Sequence, residues 1–221
     1  MVTTEADTLT RLRALSTSGV SDALDKLGIP GQALGIAPLD RSFRLAGRAW
    51  TLRYGPVGQD RGTVGDYIDD LGPDDVVVLD NQGRVDATVG GDLLTTVAHR
   101  REVAGTVIDG VCRDVDRSLE LGYPVFSRGN WMRTGKDRVR VEATGVPVSI
   151  GGIRVEPGDL LLGDGDGIVV VPAARAEEVL AAAEEIARAE QAIRDAVEAG
   201  SSLREARVAH RYHDLQHGAG S

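Results

Sequence analysis

Two short stretches hold residues whose types and spacing could do chemistry together: "VGGDLL" at residues 89–94 and "CRDVD" at residues 112–116. Gly90 and Gly91 carry no Cβ, so the backbone can approach a ligand closely there. The N–H groups of Gly91, Asp92, Leu93 and Leu94 open an apolar helix, and free donors at a helix start favour an anion such as a carboxylate. Where the next strand should end, Arg113 can clasp a carboxylate with two parallel hydrogen bonds, and Asp114 offers a hard oxygen ligand to a divalent cation. A backbone cradle, a fixed cation and a metal anchor suit a 2-oxo acid, with its carboxylate on the arginine and its keto oxygen on the metal. Charge released by breaking the adjacent carbon–carbon bond would then be held as an enolate. Residue type and spacing are as compatible with a plainer reading, in which Arg113 makes a surface ion pair and Asp114 caps a helix.

The elements that must position these residues follow from the hydrophobic pattern. "DDVVVLD" (74–80) is an apolar run of strand length, which predicts a strand covered on both faces. After it come a polar loop "NQGRVDATVGG", the helix "DLLTTVAHRR", the strand "VAGTVIDG", the helix "DVDRSLELG" and the strand-like "YPVFSRG". Such alternation implies right-handed crossovers in a mainly parallel sheet, with ligands settling beyond the carboxyl ends of the strands. Upstream, "SGVSDALDKLG" reads as a short helix started by Ser18 or Ser21 and stopped at Gly28, with Val20, Ala23, Leu24 and Leu27 on its apolar face. "RLAGRAWTLRYG" reads as strand with a glycine interruption, and "TVGDYIDDLG" as a short helix. Downstream, "VPVSIGGIRVEPGDLLLGDGDGIVVVP" is cut by Gly-Gly, Pro-Gly and Asp-Gly turns, which favour antiparallel hairpins. From Ala173 to about Ala199 the chain predicts one long helix with Val179, Ala183, Ile186, Ala187, Ile193 and Val197 near one face. That face suits the chain's own sheet or a neighbouring subunit equally. The division is a domain over 1–172 and a C-terminal helix and tail over 173–221.

Bulk properties narrow the function. With 221 residues, 42% of them hydrophobic, the chain can bury one sizeable core. A net charge of -9 and an isoelectric point near 5.0 make nucleic acid a poor partner. The N-terminal stretch is polar and no apolar run reaches membrane-spanning length, so the expectation is a cytoplasmic protein with no membrane partner. A single cysteine, Cys112, fits that reducing compartment and is read as a small buried residue.

Other motifs rank lower. A Schiff base would need a lysine in an apolar setting, and the two lysines, Lys26 and Lys136, lie on a polar helix side and in a turn. "GNWMRTGKD" fails as a phosphate loop, because its glycine spacing is one residue too long and Asp137 stands where Ser or Thr would hold magnesium. "GDGDG" around Asp164 and Asp166 lacks the spacing and terminal glutamate of a calcium loop, and a hairpin turn explains it. His210, His213 and His217 could share a helical face, but no cysteine or fourth ligand joins them, and His99 belongs on an exposed helix flank.

The run "GGDLLTTVAHRREVAGTVIDGVCRDVDRSLELGYPVFSRG" resembles the RraA-like family, with further matches in "VSDALDKLG", "GTVGDYIDDLGPDDVVVLDNQG" and "PVSIGGIRVEPGDLLLGDGDGIVVVP". The family includes 4-hydroxy-4-methyl-2-oxoglutarate/4-carboxy-4-hydroxy-2-oxoadipate aldolases with oxaloacetate decarboxylase activity. The resemblance implies an α/β fold of the swivelling β/β/α type, with a mixed β-sandwich-like core flanked by helices and a long C-terminal helix. It implies a homotrimer or homohexamer with sites between subunits, and a small 2-oxo acid as substrate. It also implies roles: Gly91, Asp92, Leu93 and Leu94 bind the pyruvyl group, Arg113 holds substrate and eases enolate formation, and Asp114 ligates Mg2+ or Mn2+. Asp92 acts on metal-bound water, as does an acid from a neighbouring C-terminal helix, for which Glu190 is named. The expected reaction is cleavage of a 4-hydroxy-2-oxo diacid to pyruvate and an oxo acid. Val89 stands where related sequences carry a bulkier aromatic, and the tail "REARVAHRYHDLQHGAGS" follows no family pattern. The alternative is a regulator of ribonuclease activity that acts by protein contact, with its acidic surface masking a basic partner.

Overall fold

The structure, a computed structural model, describes residues 5–58 and 65–210. In chain order it comprises α1 (Glu5–Arg13), α2 (Thr17–Lys26), β1 (Gln32–Ala33), β2 (Ala37–Pro38), β3 (Leu45–Pro56), a 3-10 turn (Asp66–Asp70) and β4 (Asp75–Thr88). Then follow α3 (Asp92–Arg100), β5 (Gly105–Val111), α4 (Val115–Leu121), β6 (Val125–Ser127), β7 (Val139–Thr144), β8 (Val148–Ile150) and β9 (Ile153–Val155). The chain closes with β10 (Leu160–Asp164), β11 (Gly167–Val171), α5 (Ala176–Glu198) and α6 (Leu203–Ala209). The expected parallel segment is β4-β5-β6, and β3 joins it in parallel alongside β4. Antiparallel strands β10, β11 and β1 extend it past β3, and β2 closes the β6 edge.

The apolar run of β4 shows how the layers form. Side chains alternate across a strand, so Val76 and Val78 enter one core while Val77 and Leu79 enter another, and all four are shut off from solvent. On the first face the β8–β9 hairpin lies over the sheet, with Val148, Ile150 and Val155 against Val107, Leu161 and Val170. The opposite face is helical. There α1, α2 and α5 cover β10 and β11, while α3, α4 and the 3-10 turn cover β4 and β5. Two buried carboxylates pin the hairpin: Asp80 accepts from the Ser149 N–H at 3.1 Å and Asp109 from the Gly151 N–H at 3.0 Å.

Several local expectations need correction. Residues 81–88, expected as a loop, continue β4, with register shifts against β5 after Asp80 and after Arg84. Their polar, glycine-containing sequence bulges, and Gln82 (φ 56°) and Gly83 (φ 68°) take the left-handed backbone that the bulge needs. The α2 cap is Ser16, whose hydroxyl accepts from the Gly19 N–H at 3.1 Å, instead of Ser18 or Ser21; Gly28 does take the left-handed stop, at φ 65°. β3 runs unbroken through Gly47, where a Cβ would lie 2.4 Å from the Asp74 carbonyl oxygen. "TVGDYIDDLG" forms a 3-10 turn over Asp66–Asp70, and Thr63 and Val64 lie outside the described residues.

The face of α5 is buried within its own chain at Val179, Leu180, Ala183 and Ile186, against α1 and α2. Arg11 reinforces this contact with bonds of 2.6 Å to Glu184 and 2.7 Å to Glu177. Farther along, Val197 is exposed. Among the described residues no helix is long and apolar enough to cross a membrane.

"GDGDG" forms the β10–β11 turn, as expected. Asp164 is buried in it and accepts from the Thr17 hydroxyl at 2.6 Å, the Thr17 N–H at 2.9 Å and the Asp166 N–H at 3.0 Å. Burial pushes this carboxyl up, but the bonds from Thr17 and Asp166 outweigh it and hold it below the ordinary 3.8. Asp164→Ala should therefore cost about 2 kcal/mol at neutral pH, read by denaturant unfolding. Because the folded state favours the ionised form, the wild-type advantage over Asp164→Asn should be full above about pH 4 and shrink on further acidification. An advantage that grows as the pH falls would contradict this sign.

Candidate functional site

The parallel pairing of β4 and β5 brings the two chemistry-bearing stretches to one end of the sheet. Arg113 follows β5, and its N–H donates to the Gly90 carbonyl at 3.0 Å. Asp114 then takes a left-handed conformation (φ 56°, ψ 43°), which turns its side chain back towards α3. Its Oδ2 accepts from the Asp92 N–H at 3.1 Å and lies 3.4 Å from Arg113 Nε. Gly91 makes room: a Cβ there would stand 2.8 Å from that Oδ2 and 3.2 Å from Nε. Its backbone is extended, so the requirement is for space and not for an unusual torsion.

Both plain readings of this pair are thus half met. Asp114 caps a helix, but α3 across the corner and not its own α4. Arg113 makes an ion pair, but only through Nε; among the described residues its two terminal nitrogens have no partner and leave the flat fork free for a carboxylate. Both side chains are 39% exposed, so the pair adds little stability. A non-glycine residue at positive φ costs about 1 kcal/mol. The corner is poor as a stability device, and its arrangement calls for another use.

Two clefts meet at Arg113. One, of about 390 Å³, has walls that include Asp66 and Asp69 from the 3-10 turn, Gly91, Asp92 and Leu94 from the start of α3, and Arg113. Ile68 buries into the core beneath that turn, and Tyr67 stacks on Trp50 with ring centres 5.0 Å apart. The other cleft, of about 550 Å³, lies between Arg113, Asp114, Asp116, Asn130, Trp131 and Met132. Its far wall is held by the Trp131 N–H on the Cys112 carbonyl at 2.8 Å and the Thr88 N–H on the Arg133 carbonyl at 3.0 Å.

The structure therefore brings together Gly91, Asp92, Leu94, Arg113 and Asp114; the Leu93 side chain stands at the cleft mouth, 77% exposed. It does not bring Glu190 of the same chain there: that residue sits on α5 in an ion pair of 3.6 Å with Arg194. Sequence reasoning missed Asp66, Asp69, Asp116 and Asn130, which carry no distinctive spacing. Trp131 and Met132 did carry a signal, two large apolar residues in a polar, glycine-flanked segment. Cys112 is the buried packing residue expected, with burial raising its thiol, and Ser127 Oγ lies 3.7 Å from Sγ. Lys26 pairs with Glu185 at 3.4 Å and Lys136 is exposed; neither lines the corner clefts. His99 is exposed and His210 partly so, while His213 and His217 lie outside the described residues.

Among the described residues no three His, Cys, Asp or Glu side chains converge as a metal cage. Mg2+ does not require one, since it keeps several waters and takes one or two carboxylates. Asp114 is half exposed, with Oδ1 unbonded among the described residues and with Asp116 and Asn130 in the same cleft. That donor set fits a hydrated divalent ion.

Residues 17–170 match the family model described as RraA-like, Aldolase/RraA. A Halalkalibacterium halodurans protein provisionally named 4-hydroxy-4-methyl-2-oxoglutarate aldolase is 34% identical, over 80% of this chain and 81% of its own length. DlpA of Legionella pneumophila is 39% identical over 92% of this chain, which spans only 34% of DlpA. Among solved structures, an uncharacterized protein of Pseudomonas syringae superposes with a TM-score of 0.87 at 41% identity, over 94% of this chain and all of the other. RraAS2 of Streptomyces coelicolor, described as an unusual member of the RNase ES inhibitor RraA protein family, gives 0.78 at 30% identity, over 86% of this chain and 97% of its own.

The contact between Gly91 and Asp114 can be probed directly. In Gly91→Ala the new methyl group would claim the space of the Asp114 carboxylate, so the Asp92 amide should exchange faster by NMR while the melting temperature stays within a few degrees of wild type. An Asp92 amide protected as before, in a folded variant, would refute the contact.

Proposed function

The chain belongs to the RraA-like family, and from that premise we propose that it is a lyase that breaks a carbon–carbon bond beside a 2-oxo acid and releases pyruvate. One observation carries the reading: the unoccupied fork of Arg113, the start of α3 and the Asp114 carboxylate share one corner. The provisional aldolase name of the Halalkalibacterium relative supports it.

In this reading Arg113 and the N–H groups of Leu93 and Leu94 orient the substrate carboxylate and favour negative charge developing next to it. Asp92, exposed at the mouth, moves the proton from the 4-hydroxyl. The C3–C4 bond then breaks, C4 becomes the carbonyl of the departing fragment, and the electron pair passes into the enolate of pyruvate, which is protonated at C3. Asp114 would hold Mg2+ or Mn2+, with Asp92 and a neighbouring copy's acid, Glu190, reached through water; such an ion supplies electrophilic stabilisation to the enolate oxygen. Loss of carbon dioxide from oxaloacetate is the same scission with a different leaving group. The 4-hydroxy-2-oxo diacid implied by the family shares this pyruvyl half. A homotrimer or homohexamer is part of the same reading.

RraAS2, described as a member of an RNase inhibitor family, gives a specific ground for a second reading, in which the chain binds a protein and catalyses nothing. Pyruvate release from oxaloacetate, followed with a coupled dehydrogenase, separates the two. The lyase should turn over with Mg2+, stop with chelator, and lose about 100-fold or more in Arg113→Ala and in Asp114→Asn. No chelator-sensitive release from oxaloacetate or from any 4-hydroxy-2-oxo acid would leave the binding reading.

A further inference from the structure

The two helices that start at the corner are tied to each other a second time, one turn farther on. Arg117 of α4 reaches across to α3, where its Nε donates to Thr96 Oγ1 at 3.1 Å. Its own N–H donates to the Asp114 carbonyl at 3.1 Å, and Thr96 stands about one helical turn after Asp92. With the bond from the Asp92 N–H to Asp114 Oδ2, these contacts close a ring. It runs from Asp92 along α3 to Thr96, across to Arg117, and back along the first turn of α4 to Asp114. Arg117 has a second partner, Glu120 at 3.3 Å, but that exposed pair stays within α4 and fixes nothing across the corner. The bond to Thr96 joins two half-buried side chains and spans the helices.

We infer that Arg117, acting through Thr96, is a positioning residue for the corner. It fixes the spacing of the two helix starts, so that Asp114 can seat the Asp92 N–H on one carboxylate oxygen and present the other to a divalent cation. Both tasks fall on the same carboxylate: Oδ2 is committed to Asp92, and Oδ1 is unbonded among the described residues. An ion on that carboxylate would draw charge from it and weaken it as an acceptor for the Asp92 N–H. The left-handed backbone at Asp114 adds a cost that a small shift of α4 would relieve. The Arg117–Thr96 bond does not involve the carboxylate, and neither residue lines the two clefts at Arg113, so this tie holds when the other is weakened. Support of this kind is what keeps a ligand atom in place once the ligand itself is shared. The effect on turnover rests on the lyase reading, whereas the ring rests on its distances alone.

Two variants of the full chain test the inference. Thr96→Val removes the acceptor and keeps the side-chain shape, and Arg117→Met removes the donor and keeps an apolar stem. In both, the Mg2+ dissociation constant measured by calorimetry should rise about fivefold, and kcat/KM for oxaloacetate at limiting Mg2+ should fall by a similar factor. The Asp92 amide should exchange faster by NMR, and more so with Mg2+ present, while amides in the buried part of α5 keep their wild-type rates. Thr96→Ser, which restores an acceptor, should recover the wild-type values, and Glu120→Gln should change none of them. A merely structural role would lower the melting temperature and leave Mg2+ affinity and Asp92 exchange as in wild type. That result, in folded variants, overturns the inference and leaves the lyase reading standing. If the wild-type protein neither binds Mg2+ nor releases pyruvate, the lyase reading fails on its own. Asp92 exchange then decides the positioning role: faster in both variants upholds it, and unchanged overturns it.

Discussion

A carboxylate seated on the start of a helix 22 residues away is the contact on which the corner depends. Asp114 reaches the Asp92 N–H only because three conditions hold at once. β4 and β5 run parallel, so that their ends lie side by side; the Arg113 N–H is tied to the Gly90 carbonyl; and Gly91 leaves the space that a Cβ would fill. A one-residue slip of β5 would turn its alternating side chains to the opposite faces of the sheet and break the pairing of strand end and helix start. The geometry of the corner is therefore fixed by the sheet register before any side chain chooses a rotamer.

That register is itself locked from both faces. β4 divides Val76 and Val78 from Val77 and Leu79 between two cores, so neither face can slide without exposing apolar surface. Just beyond those residues, Asp80 and Asp109 are buried carboxylates that accept backbone N–H groups of the β8–β9 hairpin, and Asp109 is also paired with Arg128. Leaving such an acceptor unpaired is expensive, which holds the hairpin over the strand ends that carry the corner. The flexible-looking glycine-rich stretch thus stands on a rigid base, as positioning of a reacting group requires.

Much of this was legible in the chain. The parallel segment, its helices and the later hairpins follow from apolar periodicity and turn residues, which act over a few positions and need no knowledge of distant partners. The pairing of Gly91, Asp92, Arg113 and Asp114 was legible too, since strand–helix alternation sends both stretches to the same end of the sheet. What escaped was set by contacts between distant residues. Ser16 rather than Ser18 or Ser21 caps α2, because Asp164 on the β10–β11 turn takes the Thr17 N–H and fixes where the helix begins. Residues 81–88 stay in the sheet because β5 pairs with Arg84 and Thr88 across bulges, although their polar, glycine-containing sequence reads as loop. Asp66 and Asp69 reach the cleft through the stacking of Tyr67 on Trp50, a contact that sequence spacing does not announce.

The corner also shows how stability and use are separated in one molecule. Asp114 holds a left-handed backbone that glycine would adopt more easily, and its ion pair with Arg113 is too exposed to offset that cost. Asp164 is the contrast: an aspartate in a glycine-flanked turn that is buried, bonded three times and devoted to anchoring α2. If stability alone shaped both positions, the strained and exposed aspartate would be the one to give way. Its carboxylate instead stands beside a helix start and an open guanidinium fork, two groups that attract the same small anion, and that convergence is what the surrounding fold holds in place.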